Sequence, residues 1–133
     1  MIRSHLRNEV PEALYFRAKQ HLEGINGVTK NPKMAVKIYG RAVKLGNVSA
    51  MTMLAQCYRR GEGITQNVNK AMQLYLMAAE QRDVRAQTML GQMLWKTKDY
   101  KEALIYYAAA ANQGYTEAEF LYGTIAINSI PTP

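Results

Sequence analysis

Two histidines, one cysteine and ten acidic residues are the side chains with which this 133-residue chain could do metal or acid–base chemistry. His5 and His21 stand sixteen residues apart, and Cys57 has no second cysteine anywhere in the chain. Zinc sites draw their ligands from close Cys/His pairs, and this chain has none. An internal disulfide cannot form. The Gly61-Glu62-Gly63 stretch falls between two helical segments rather than after a strand. Its glycines therefore supply backbone freedom in a tight loop, not a cradle for phosphate. No phosphate-loop signature, nucleophile elbow or paired acidic motif occurs. The expectation is no catalysis, no metal and no cofactor. Cys57 reads as a small residue at a helix interface, since a reactive thiol needs a special electrostatic setting.

The cations carry more information. The net charge is +7, but residues 1–60 hold 11 Lys/Arg against three Glu (+8), while residues 61–133 hold 6 against 7 acids (−1). Lys30, Lys33, Lys37, Arg41 and Lys44 recur at steps of 3, 4, 4 and 3, which puts them on one face of a helix, opposite Ala35, Tyr39 and Ala42. One reading is a solvated outer face. The other is a docking stripe for an acidic protein, a phosphate backbone or an anionic membrane.

The elements that must position these groups are repeated. Ala13, Ala50, Ala86 and Ala118 open four matching segments at spacings of 37, 36 and 32, and Ala35, Ala71 and Ala103 form a second series at 36 and 32. Periods of this length mean stacked helical hairpins, each too small to hold a core alone. The first helix of a unit reads Ala50, Leu54, Ala55, Tyr58, then Ala86, Leu90, Gly91, Leu94, then Ala118, Tyr122, Gly123, Ala126. The first unit departs from this at Arg17 and His21, as a terminal repeat facing water is free to do. The second helix reads Ala35, Tyr39, Ala42, then Ala71, Tyr75, Ala78, then Ala103, Tyr107, Ala110. Small residues on that stripe let helices approach closely, and the tyrosine fills the gap beside them.

Helix ends are marked as well. Asn31-Pro32 reads as an N-cap with proline at the first helical position. Asp99-x-x-Glu102 and Thr116-x-x-Glu119 read as capping boxes. Gly46 and Gly114 sit where left-handed residues should close the second helices. Helices are predicted near 10–23, 32–45, 48–60, 68–81, 84–96, 100–113 and 116–127. The fold class is all-α: a right-handed α-solenoid of about three and a half stacked antiparallel helix pairs, seven helices in all. The repeat domain runs over 10–127, with tails at 1–9 and 128–133.

The segment from Ala50 to Arg82, with Leu54-Ala55, Tyr58, Gly61-Glu62-Gly63-Ile64, Lys70-Ala71, Tyr75 and Ala78-Ala79-Glu80-Gln81, resembles a Sel-1-like repeat, a cousin of the tetratricopeptide repeat with a longer inter-helix loop. The first unit matches through Gly24, Gly27-Val28, Ala35, Tyr39, Ala42 and Gly46, with one extra residue between its loop glycines. The third keeps Ala86-Gln87, Leu90-Gly91, Ala103, Tyr107, Ala110-Ala111 and Gly114 but lacks the glycine loop. The resemblance implies a scaffold that binds other macromolecules. Bacterial members include adaptors, secreted virulence factors and immunity proteins, and the lone Cys57 sets this chain apart from the branch with a cysteine pair in each repeat.

The resemblance also implies that first helices line a concave surface and second helices a convex one. Side chains offset from the apolar stripe should then face the groove: Tyr15 and Lys19, then Ser49, Thr52, Gln56, Arg59 and Arg60. In the third unit they are Arg85, Thr88, Gln92, Trp95 and Lys96, with Phe120 and Thr124 after them. Arg and Trp often dominate interface energies. Trp95 either projects into the groove or packs on Tyr100 under the shortened loop. Arg59 and Arg60 either bind or simply favour a helix C-terminus. Phe120 reads as core.

Length suits one domain that buries about two thirds of its unfolded surface. No apolar run reaches about 18 residues, so no membrane-spanning helix is expected. The N-terminus has no apolar core of secretory length. A cytosolic location is expected, with signal-independent export left open. The leading functional expectation is a non-enzymatic adaptor, assembly factor or immunity protein that binds an acidic protein or peptide through the concave groove, the basic half, or both. The alternative is nucleic acid or another polyanion on the basic second helix. Self-assembly through Phe120, Tyr122 and Ile125 is a third option.

Overall fold

The computed structural model describes residues 9–115 together with Glu119 and Gly123. Among them stand six helices of thirteen residues each: α1 (Pro11–Glu23), α2 (Pro32–Lys44), α3 (Val48–Arg60), α4 (Val68–Glu80), α5 (Val84–Lys96) and α6 (Tyr100–Asn112). No described residue is in a strand. The predicted boundaries hold to within one residue. The seventh helix expected over 116–127 lies outside the described residues, save Glu119 and Gly123, whose backbone is helical.

Local chemistry accounts for the ends. Asn31 caps α2 by accepting from the Met34 N–H at 3.1 Å, with Pro32 in the first turn. Asn47, Asn67 and Asp83 do the same for α3, α4 and α5, at 2.7, 3.0 and 3.0 Å. Each satisfies an N–H that the helix itself leaves exposed. Asp99 departs from its expected box: it makes no side-chain cap to α6. Its carboxylate instead accepts from the Thr97 hydroxyl at 2.7 Å, because the three-residue turn between α5 and α6 brings that donor closer. Gly46 and Gly114 are left-handed, at φ +85° and +83°, as expected.

The chain divides into two compact units, Met1–Leu74 and Tyr75–Pro133, with the boundary inside α4. In the first unit α1 packs on α2, and α2 on α3. One core gathers Leu14, Ala18 and Leu22 from α1, Ala35, Ile38, Tyr39 and Ala42 from α2, and Ala50, Met53, Leu54 and Cys57 from α3. Ala13 is exposed although its repeat counterparts Ala50 and Ala86 are fully buried. No described repeat precedes α1 to cover it, and Leu14, Ala18 and Leu22 carry the core instead. In the second unit α5 packs on α6. A Cβ on Gly91 would sit 2.8 Å from the Tyr107 ring, which is the close approach that the small-residue stripe called for.

The loop between α3 and α4 is clasped to the helix it leaves. The Asn67 N–H donates to the Tyr58 carbonyl at 2.9 Å, and Gln66 Nε2 to the Arg59 carbonyl at 2.8 Å. The first repeat reproduces the clasp with Asn31 donating to the His21 carbonyl at 2.7 Å. Gly63 lies hard against α2: a Cβ there would meet the Pro32 carbonyl oxygen at 2.4 Å, and its φ is +75°. Glycine is required at this position both for its backbone angle and for the space.

Candidate functional site

Within the first unit, α1 and α3 present the polar side chains that sequence assigned to a groove. Lys19, Gln56 and Arg59 are half-buried and Arg60 is exposed. Tyr15 is half-buried, its ring 6.0 Å from Tyr39 and 5.4 Å from Phe16. It is thus partly a lid on the core. Thr52, which its offset places at the surface, is only 5% exposed. Within the second unit, Arg85 and Lys96 are exposed and Gln92 is half-buried. Thr88 is a second correction: it is 4% exposed, its hydroxyl donating to the Val84 carbonyl at 2.9 Å. A hydroxyl that bonds its own helix four residues back can be buried at little cost, so pattern alone misplaces it. Trp95 takes the second of its two expected positions, half-buried with its ring centroid 4.5 Å from Tyr100.

On α2 the basic face stands as the spacing required. Lys33, Lys37, Arg41 and Lys44 are exposed while Ala35, Tyr39 and Ala42 are buried, and Lys30 is exposed just before the helix. Arg41 is set apart from the lysines, since its guanidinium donates to Glu9, whose other carboxylate oxygen lies 3.8 Å from Arg17. Both arginine side chains are about half exposed, so the cluster is worth at most about 1 kcal/mol. Its effect is to neutralise one member of the stripe. Sequence gave no sign of it, because Glu9 and Arg41 are far apart in the chain.

Two other groups are structural. Cys57 is buried, and burial, aided by Glu62, pushes its thiol up to about 11 against a smaller opposing pull from Arg60. Gln87 is 5% exposed: its amide donates to the Ala79 carbonyl at 3.2 Å, and its oxygen accepts from Gln113 at 2.9 Å. Gln113 in turn reaches the Arg82 carbonyl at 3.2 Å. This ties the end of α4 to α5 and the end of α6 through residues far apart in the chain. Among the described residues, no group of His, Cys, Asp or Glu is placed to hold a metal ion, and no helix is long and apolar enough to cross a membrane.

The profile of the Sel1 repeat matches residues 11–47, 48–83 and 84–115. These registers place Lys19, Gln56 and Gln92 at one repeat position, and Arg60 and Lys96 at another. A Sel1 repeat protein from Oxalobacter formigenes is similar over 86% of this chain and 49% of its own, with 32% identity and a TM-score of 0.81. The protein c5321, a protective antigen of uropathogenic Escherichia coli with an SLR fold, is similar over 94% of this chain and 27% of its own, with 22% identity and a TM-score of 0.86. The immunity protein Pa5087 from Pseudomonas aeruginosa is similar over 86% of this chain and 58% of its own at 24% identity, but its TM-score of 0.48 is too low to carry an inference. The chain spans about half the length of the first of these structures and about a quarter of the second. No curated protein shows significant similarity to it. The likeness shows an all-α helical-repeat fold of the solenoid class, and the bacterial source of these structures fits a bacterial origin.

Proposed function

Because this chain belongs to the Sel1 repeat family, whose repeats are protein–protein interaction modules, we propose that it is a non-enzymatic binding protein for an acidic protein or peptide, an adaptor, assembly factor or immunity protein. The observation that carries this reading is the recurrence of exposed or half-exposed polar side chains on first helices whose opposite faces are spent on the core. In the first unit these are Lys19, Gln56, Arg59 and Arg60, and in the second Arg85, Gln92 and Lys96. A first helix that buries Ala50, Met53, Leu54 and Cys57 holds its outward residues at fixed spacing. That lowers the entropy a partner must pay for. Guanidinium groups at such positions can grip carboxylates by two bonds.

Trp95 contributes through the turn it braces with Tyr100 rather than as a leading contact. The test is to recover the native partner from cell lysate and titrate it against purified protein. Arg59→Glu and Arg85→Glu should each weaken binding by about 2 kcal/mol, if these are central contacts, with helicity and melting unchanged. Unchanged affinity in both variants would remove the first-helix faces from the account.

A further inference from the structure

Gly40 lies at one edge of the lysine row. With 100° between successive residues, Lys33, Lys44 and Lys37 stand about 20°, 40° and 60° round the helix from it, all on the same side. A Cβ on Gly40 would meet nothing within 4 Å. Glycine in a helix interior is costly, and it is kept where a close approach or an unusual φ demands it. Neither demand is made here, since Gly40 lies inside α2 with an ordinary helical φ.

The repeat itself does not ask for glycine. Counting from the buried tyrosines Tyr39, Tyr75 and Tyr107, the equivalent positions hold Leu76 and Ala108, and Leu76 is 39% exposed. Nor does the repeat ask for two of the lysines: Lys37 is matched by Gln73 and Ile105, and Lys44 by Glu80 and Asn112, while Lys33 is matched by Asn69 and Lys101. Helix α2 carries no acidic residue, and among the described residues only Arg41 of its cations has an ion pair.

We propose that this face of α2 is a docking site for an acidic amphipathic segment of another protein, which crosses the helix at the bare backbone of Gly40 with its carboxylates against Lys33, Lys37 and Lys44. The proposal rests on the reading of the chain as an interaction module and adds a second, separate surface to it. The occupant is protein rather than nucleic acid because of what flanks the row. Met34 and Leu45 are 40% and 51% exposed beside the cations, and they would cover apolar side chains. The sole aromatic of α2, Tyr39, is fully buried, so nothing on the helix offers a base a stacking surface.

The experiment measures fluorescence anisotropy of three labelled probes: a helical peptide with Glu and Leu on opposite faces, polyglutamate, and a short DNA duplex. The amphipathic peptide should bind most tightly. Lys37→Glu/Lys44→Glu should weaken it about tenfold or more. Gly40→Leu, which installs the residue of the second repeat, should weaken it about as much while the melting temperature stays level or rises. Gly40→Ala serves as the milder check on folding, and Arg59→Glu should change the affinity by less than about twofold. No binding of the peptide, tighter binding of the duplex, or full affinity in the Gly40→Leu variant would each overturn the proposal. Should Arg59→Glu abolish binding while the α2 variants leave it intact, the α2 site falls and the interaction module stands. Should the native partner also ignore Arg59 and Arg85, both fall.

Discussion

At the scale of the residue, Cys57 shows how position overrides chemical potential. A thiol needs its thiolate to react, and burial denies it that form by pushing the pKa up to about 11. The folded pKa lies above the unfolded value, so the thiol's contribution to stability is fully present below about 9 and is lost as pH rises from about 9 to about 11. The native protein should therefore resist iodoacetamide at pH 8 and react fully once unfolded, as read by mass spectrometry. Rapid alkylation of the folded chain at that pH would contradict the burial. The same scale explains the corrected positions. Thr52 and Thr88 look like surface residues by type and offset, yet both are buried; for Thr88 the reason is a hydroxyl satisfied on its own helix, which no longer needs water.

At the scale of the element, each hairpin is stabilised where loop meets helix. Gly63 is the tightest such point in the first unit, with the Pro32 carbonyl in the space a Cβ would need. Gly63→Ala should cost about 2 kcal/mol or more, since the left-handed φ and the overlap with backbone both oppose it. Chemical denaturation against wild type measures this, and a loss below about 0.5 kcal/mol would show that the loop does not seat on α2. Helix boundaries were legible because their signals are local: Asn31-Pro32, Gly46 and Gly114 each fix an end within a few residues of chain. The capping box at Asp99 failed for a reason equally local, the competing Thr97 hydroxyl. What sequence could not supply were contacts between distant residues. The pairing of Glu9 with Arg41 and the Gln87–Gln113 bridge depend on which helices come together.

At the scale of the whole molecule, repetition made the fold readable while leaving function open. The alanine and tyrosine series carried fold class, helix count among the described residues, and the inward faces. They carry nothing about the partner, because a repeat spends its patterned residues on the core and leaves the rest free to vary. The surface departures are therefore the informative part: the row of lysines on α2, and the arginines and glutamines of α3 and α5. In the proposed function these are the side chains that would meet the carboxylates of an acidic protein partner. Amide hydrogen exchange of the chain with and without its native partner tests that claim most directly. The account predicts new protection over Gln56–Arg60 and Gln92–Lys96, or over Lys33–Lys44, with the buried cores unchanged. Protection confined to the inter-helix loops, or a partner whose binding alters none of these segments, would contradict it.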